Sequence, residues 1–481
     1  MKASIMKNTV FNMVKTLSAL LFPLITIPYV TRVLGVVNYG KINFGASIIN
    51  YFTLIAALGL TTYAIRECSR VRDDREKLSA LASELFSINM VTTVISYALL
   101  AVLLIFFPKF QGYRQLIVIQ STVIMLTTLG CDWLNSAMED FQYISLRTIG
   151  FQVISLVLMF LFVRDADDYL KYAIIGAFSA GGANLLNMRY RKRYCRVTLT
   201  AKIPWKRHIV PILLLFVMSL AQTVFISADT TMLGLMKNDY EVGIYSTAIK
   251  IERMISQVVS SNVFVLMPRM SYLYGTEDTE KINSMLRKIL AVFLVIGLPC
   301  FAGAFAIADD LILLVAGAEY MAAGLSLKIA MFSFLFSLIG GSFLGNVVLL
   351  SSGKERNYMI ICCIAAGLNV VLNGLLIPRY GAAGAAFTTA LCSLSMLVML
   401  MFATRKQVRI KKLGKLFFAP VLGAALIISY CLLVMPLISN LILRIGVCVI
   451  GSCVLYLGAL LATKNEVLPM VLHNLNERLK K

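Results

Sequence analysis

The chain has 481 residues, 59% of them hydrophobic and only 14% charged, with a mean hydropathy of +0.82. Soluble domains are nearer half apolar and a quarter charged, so the composition excludes that class and specifies an integral membrane protein. The formal charge of +21 admits nucleic acid, an anionic membrane surface or an anionic substrate as partner, and the placement of the charges decides among them.

The first stretch, MKASIMKNTVFNMVKTLSALLFPL, has the basic-then-apolar order of a signal peptide. Lys15 interrupts its apolar part, no A-x-A site follows, and the run continues past Ile27, so it is read as a first spanning helix that is retained. Apolar runs of about 20 residues then recur. Spanning helices are predicted at 9–31, 42–64, 80–107, 115–137, 143–163, 170–188, 209–236, 243–267, 286–307, 324–350, 357–377, 382–403, 416–437 and 440–462. The expected fold is all-α, with fourteen transmembrane helices. Between the ninth and tenth, ADDLILLVAGAEYMAAG (308–324) has an apolar middle too short to span and is placed at the interface. In the tail, Leu468, Leu472, Leu475 and Leu479 recur at helical spacing between charges, the pattern of an interfacial amphipathic helix.

The basic residues follow this alternation. Of 45 Lys and Arg, 32 fall in connections on the side of the N-terminus and 8 on the opposite side; five (Lys15, Lys250, Arg253, Lys328 and Arg444) lie within or at the start of helices. The bias places both termini of a multi-pass membrane protein in the cytoplasm. Most of the positive charge is thereby a topology signal, and nucleic-acid binding is excluded. Ten cysteines are scattered through apolar runs without a paired C-x-x-C, and only His208 and His473 represent histidine, so no metal site, cofactor or catalytic group is expected.

The two halves repeat. VLGVVNYGKI (33–42) joins spans 1 and 2 as MLGLMKNDYEVGIY (232–245) joins spans 7 and 8, aligning Leu34–Gly35 with Leu233–Gly234 and Gly40 with Gly243. YAIIGAF (172–178) matches YGAAGAA (380–386) at a similar offset. Six helices per repeat is an even number, so the halves insert in parallel, related by a pseudo-two-fold axis along the membrane normal around a central cavity. The expected domains are a six-helix bundle over 1–200, a second over 201–404, and spans 13–14 with the amphipathic tail over 405–481.

Span 8 carries the strongest functional signal. Ser246, Lys250, Arg253, Gln257 and Ser260 recur at spacings of four and three and form one face. Glu252 lies about 200° around the helix from Lys250 and cannot neutralise that face, so it needs a partner of its own. Three charges turned to lipid would cost about 8–10 kcal/mol, so the stripe faces protein or water. Other polar stripes are Asn8, Asn12 and Lys15 in span 1, which Pro23 and Pro28 should kink. Span 4 has Ser121, Thr128, Asp132 and Asn135; span 7 has Ser219, Gln222 and Asp229; span 11 has Asn369 and Asn373. Two readings stand: hydrogen bonds and ion pairs between helices, with Asp229 or Glu252 as the acids, or a water-filled cavity whose Lys15, Lys250 and Arg253 bind an anion such as phosphate.

The segment PLITIPYVTRVLGVVNYGKINFGASIINYFTLIAALGLTTYAIRE (23–67) resembles the helix 1–2 signature of Wzx-type O-antigen repeat-unit flippases, in the multidrug/oligosaccharidyl-lipid/polysaccharide superfamily. DTTMLG (229–234) and YGAAGAAFTT (380–389) are similar to that family's helix 7 and helix 12 segments. The resemblance implies a transporter, not an enzyme, that moves undecaprenyl-pyrophosphate-linked oligosaccharide from the cytoplasmic to the periplasmic leaflet by alternating access. It implies that a cationic cavity takes the pyrophosphate-sugar head while the lipid tail stays in the bilayer. Lys15, Lys250 and Arg253 fit that role, with Arg32 and Arg66 at the mouths. It further implies coupling to a proton or sodium gradient, with Asp229 and Glu252 as the acids to test, and polymerase and chain-length proteins as partners.

Two other functions compete. A multidrug or cation antiporter of the same superfamily needs an acidic cavity, whereas the stripe here is basic. A lipid-carrier-dependent polysaccharide polymerase or ligase would place reactive groups on a large external loop, and none is present. The external acids Asp165, Asp167, Asp168, Asp309 and Asp310 are read as solvated helix ends.

Overall fold

A computed structural model of the chain describes residues 2–275, 278–408 and 413–463, with side chains for all of these except 2–17, 19, 20, 261–268, 413 and 415. The amphipathic tail expected around 468–479 lies outside the described residues. Every regular element among the described residues is helical. Those of the first half are α1 (Lys2–Ala57), α2 (Leu60–Arg70), α3 (Arg75–Phe106), α4 (Arg114–Gly130), α5 (Asp132–Ala137), α6 (Phe141–Phe162), α7 (Tyr169–Gly181), α8 (Ala183–Tyr190) and α9 (Trp205–Met236). The second half comprises α10 (Asp239–Gly275), α11 (Thr279–Ala306), α12 (Ala308–Val315), α13 (Ala323–Ser337), α14 (Glu355–Thr404), α15 (Leu413–Val434) and α16 (Leu441–Ala462), with a π-helical stretch at Leu338–Leu350 after α13.

These helices account for all fourteen predicted spans. Nine helical stretches among the described residues are long and apolar enough to cross a membrane by themselves. Two of them hold two spans each. Spans 1 and 2 meet at Gly35, with φ 69°, and spans 11 and 12 meet at Gly381, with φ 55°. Both angles lie in the left-handed region, which glycine alone adopts without strain, so a long apolar helix turns there. Of the remaining three spans, the fourth is split at Cys131 into α4 and α5, the sixth at Gly182 into α7 and α8, and the eighth is the charged α10. The 308–324 segment forms the short helix α12 and a turn, as expected for a stretch too short to span.

The chain divides into two compact units, Met1–Gly243 and Ile244–Lys481. The sequence repeat places the boundary at 200, whereas the contacts place α9 in the first unit. There Asn50 Nδ2 donates to Ser227 Oγ (3.4 Å) and Thr231 Oγ1 to Ser47 Oγ (2.9 Å), both across α1 and α9. The helix-4 polar stripe resolves into contacts between helices: Thr93 with Thr128 (2.7 Å), Arg147 Nη2 on Asp132 Oδ1 (2.5 Å), and Asn135 Nδ2 on Asn187 Oδ1 (2.7 Å). Where α1 ends, Leu58 and Gly59 have positive φ and interrupt the helical ladder. The carbonyl of Ala56 is taken instead by Asn89 Nδ2 (2.8 Å) and Thr92 Oγ1 (2.6 Å) of α3.

The connection from α8 to α9 is tied to α3 by a serine ladder. Ser79, Ser83 and Ser87 accept the backbone N–H groups of Arg196 (3.2 Å), Thr198 (3.1 Å) and Thr200 (2.9 Å). Every fourth residue of a helix advances about 6 Å and every second residue of an extended chain about 6.6 Å, so the two repeats stay in step over three rungs.

In the second unit, two of the bases that fell inside helices find acids. Lys328 Nζ donates to Asp309 Oδ2 (2.6 Å), and Arg444 donates through Nε (2.7 Å) and Nη2 (2.5 Å) to Asp310, which is buried. Asp310 is therefore a buried ion-pair partner and not the solvated end read from the sequence, while Asp309 pairs with Lys328 and keeps 43% of its side chain exposed. Their position at the start of α12 sets them against α13 and α16, a proximity that linear spacing cannot display.

Candidate functional site

The stripe of α10 lies on one face, graded in exposure. Ser246 is buried, Lys250 half-buried, and Arg253 and Gln257 exposed, while Ser260 Oγ shares a hydrogen bond with Ser342 Oγ (3.4 Å). Lys250 and Arg253 are three residues apart, so their head groups reach the same region of space. An exposed arginine and glutamine inside a spanning helix present a polar surface, where a compact ammonium and a planar guanidinium can together hold a phosphate group.

Glu252 is half-buried and lies off that face. Arg253, beside it in sequence, acts on it electrostatically. One turn further along, at the i+3 position on the same side of α10, Ile255 lines an apolar groove. This groove, with a volume of 580 Å³, runs between α10, α11, α15 and α16 and is walled by Val295, Pro299, Cys300, Ile427, Val449 and Tyr456 among others. Four cysteines line it (Cys300, Cys431, Cys448 and Cys453), and their small side chains leave the space open. The sequence carried a faint signal for it in Cys448, Ser452 and Tyr456, spaced four apart along α16.

The other candidates divide by location. Lys15 belongs to α1, but its side chain lies outside the described residues. Arg32 is exposed beside the Gly35 turn, with Nη1 on the Pro28 carbonyl (3.2 Å). Arg66 is exposed near the opposite end, where its Nε meets Glu67 Oε1 (3.1 Å) and its guanidinium lies over the Tyr63 ring at 5.5 Å. Arg32 and Arg66 are separated by roughly 40 Å of helix, at opposite ends of span 2. Asp229 is buried on α9, within electrostatic reach of Tyr51, which hydrogen-bonds Thr231. In the second unit Asn369 and Asn373 are fully buried, with Asn373 Nδ2 on Asn369 Oδ1 (3.0 Å). No group of three or more His, Cys, Asp or Glu among the described residues is placed to hold a metal ion.

A chain named "Putative O-antigen transporter" from Shigella dysenteriae is 24% identical over 376 residues, covering 76% of this chain and 91% of the relative. One of the same name from Escherichia coli K12 is 22% identical, covering 80% and 93%. Among solved structures, the lipid II flippase MurJ in an inward closed conformation superposes with a TM-score of 0.75 at 15% identity, covering 94% of this chain and 98% of that one. An inward-facing multidrug resistance MATE family transporter of the MOP superfamily superposes at 0.60 with 12% identity, covering 80% and 94%. At these identities the structural likeness establishes the fold. Residues 215–375 match the MatE family, and residues 5–274, more than half of the chain, match the family described as polysaccharide biosynthesis protein. The chain is a multi-pass membrane protein and belongs to the polysaccharide biosynthesis protein family.

Proposed function

We propose that this protein flips a lipid-linked oligosaccharide, carried on undecaprenyl pyrophosphate, from the cytoplasmic to the periplasmic leaflet of the bacterial inner membrane by alternating access. The observation that carries the reading is that α10 borders two chemically opposite surfaces: the cationic Lys250–Arg253 face and, around the helix at Ile255, the apolar groove. A substrate with an anionic head and a long hydrocarbon tail needs both. Lys250 and Arg253 would hold the pyrophosphate by charge-assisted hydrogen bonds, and the groove would shelter part of the tail. Lys15, Arg32 and Arg66 are candidate contacts along the substrate's route. The names of the relatives support a transporter over a polymerase or ligase.

Both termini face the cytoplasm in this reading, because the basic connections gather on their side. A proton or sodium ion supplies the driving gradient, with Asp229 and Glu252 as coupling acids. Polymerase and chain-length proteins receive the product. The multidrug antiporter reading is weaker, since a cationic substrate would meet like charge on α10.

The test is Lys250→Ala with Arg253→Ala in cells lacking the natural gene. Each charge-assisted hydrogen bond contributes about 1.5–3 kcal/mol, so the double variant should lose head-group affinity by at least about 100-fold. Lipid-linked intermediate should accumulate and surface glycan disappear, at unchanged membrane levels of protein. Normal surface glycan in the double variant would sink the assignment.

A further inference from the structure

His208 is completely buried near the N-terminal end of α9, and both of its ring nitrogens face ionisable groups on other helices. Nδ1 lies 2.9 Å from the Tyr63 hydroxyl of α2, and Nε2 lies 3.1 Å from Glu84 Oε2 of α3. The Tyr63 and His208 rings meet edge to face at 5.7 Å. Around them the packing is close: the Gly59 backbone sits against the α9 backbone at Ile212, Leu215 and Phe216, and Ile212 is fully buried in the same core as Tyr63 and Leu85. The charged groups facing this cluster are Arg66 and Glu67 from α2, Glu84 from α3 and Arg207 from α9 itself. The Glu84 side chain is 22% exposed, so solvent reaches the pair through this carboxylate.

We propose that His208, paired with Glu84, is a proton-binding site that controls the joint between α9 and α2. The two protonation states bond differently. Neutral His208 carries its hydrogen on Nε2, donates it to the Glu84 carboxylate and accepts the Tyr63 hydroxyl hydrogen at Nδ1, so every group in the triad is satisfied. A proton added from solvent goes to Nδ1. The imidazolium then donates at both nitrogens, its pairing with Glu84 tightens, and the Tyr63 O–H must turn away from the ring inside a buried seam. Proton binding thus strengthens the tie of α9 to α3 and reverses the Tyr63 bond, so that the Tyr63 hydroxyl hydrogen must find another acceptor within the joint of α9 and α2. Histidine is the side chain whose ordinary ionisation falls between pH 5 and 8, where such exchange occurs under cellular conditions. The site is distinct from the cationic face of α10 and acts on the joint, not on the substrate.

The full-length protein in lipid nanodiscs tests this in two ways. With ¹⁵N-labelled histidine, and a His473→Gln variant to isolate the signal, the His208 ring resonances should pass from the neutral Nε2–H tautomer to the doubly protonated form as the pH is lowered. An Ile212→Cys reporter should be alkylated by a water-soluble maleimide, relative to a free thiol at the same pH, about tenfold more readily at pH 6 than at pH 8, with the modified site located by mass spectrometry. That pH response should vanish in His208→Gln. In Glu84→Gln, which removes the anion paired with the ring, it should weaken. A ring that keeps one protonation state as the pH is lowered marks His208 as a packing residue and overturns the proposal. So does an unchanged labelling profile in His208→Gln. Should that variant fail to fold, the resonance titration and Glu84→Gln decide the matter.

Discussion

Arg444 grips Asp310 with two parallel hydrogen bonds, Nε to Oδ2 at 2.7 Å and Nη2 to Oδ1 at 2.5 Å, joining residues 134 positions apart. The carboxylate side chain is only 6% exposed and the guanidinium 21%. Removing one partner of a buried pair strands the other charge, so Asp310→Ala should cost about 3 kcal/mol in thermal unfolding of the purified protein. Arg444→Lys keeps the charge but not the planar fork, and should recover only part of that loss. Replacing both residues with leucine should be milder than Asp310→Ala alone. A double variant worse than either single change would show that the pair contributes more than mutual neutralisation.

Gly40 and Gly243, aligned by the sequence repeat, lie at one close crossing in the first unit. A Cβ on Gly40 would overlap the Asp239 carbonyl oxygen and come within 3.0 Å of the Gly243 nitrogen, and one on Gly243 would overlap the Val36 carbonyl. The obstacles are backbone atoms, which cannot swing aside as a side chain would. Gly40→Ala and Gly243→Ala should each destabilise by about 1–3 kcal/mol, measured as a fall in melting temperature, while Gly367→Ala, where the space is open, should be neutral. Equal losses at all three positions would rule out the crossing as their cause, since alanine favours a helix over glycine.

Span number and order were legible because the bilayer demands long apolar runs, whereas the connection read over 32–41 narrows to a turn at Gly35 within an otherwise continuous helix. The division of α10 into a cationic face and a separate Glu252 followed from 100° per residue and needed no partner. What remained hidden was which helix each face meets. A lipid-facing surface is as apolar as a packed one, so the hydrophobic periodicity that orients a helix in a soluble protein is muted here. That is why the sequence could not seat α9 against Tyr63 and Glu84, or Asp310 against Arg444. The serine ladder was invisible for another reason: Ser79, Ser83 and Ser87 read as ordinary helix-surface residues until the extended 196–200 segment is laid beside them.

Asp168 makes a pH-dependent contribution. Its carboxylate accepts from Lys171 Nζ at 2.6 Å and from the backbone N–H groups of Arg164 (2.9 Å) and Asp165 (3.2 Å). These bonds, the Lys171 contact foremost, pull its pKa down to about 2. The unfolded chain titrates near the ordinary carboxylate value of about 3.9. The folded form therefore binds fewer protons, and the added stability is fully present above pH 4 and is lost as pH falls towards 2. Asp168→Asn should lower the melting temperature at pH 7, and the gap from the natural chain should close between pH 4 and pH 2. A gap that stays constant across that range would show that shape, not charge, gives Asp168 its effect.

Glu252 separates two accounts of how α10 tolerates an acid. With a base on another helix, Glu252→Gln would break a buried ion pair and cost about 3–5 kcal/mol. With Arg253 as its electrostatic neighbour, the cost is small, because adjacent residues on a helix do not face each other and a partly exposed pair contributes about 1 kcal/mol or less. Its side of the helix borders the apolar groove at Ile255, where a hydrocarbon side chain is better suited than a carboxylate. The expected outcome is that Glu252→Gln leaves the melting temperature nearly unchanged and Glu252→Leu raises it. If Glu252 serves the transport cycle, both variants should still export glycan poorly. A large loss of stability in Glu252→Gln would instead place its partner across the helix packing, and the defect in export would then follow from the fold.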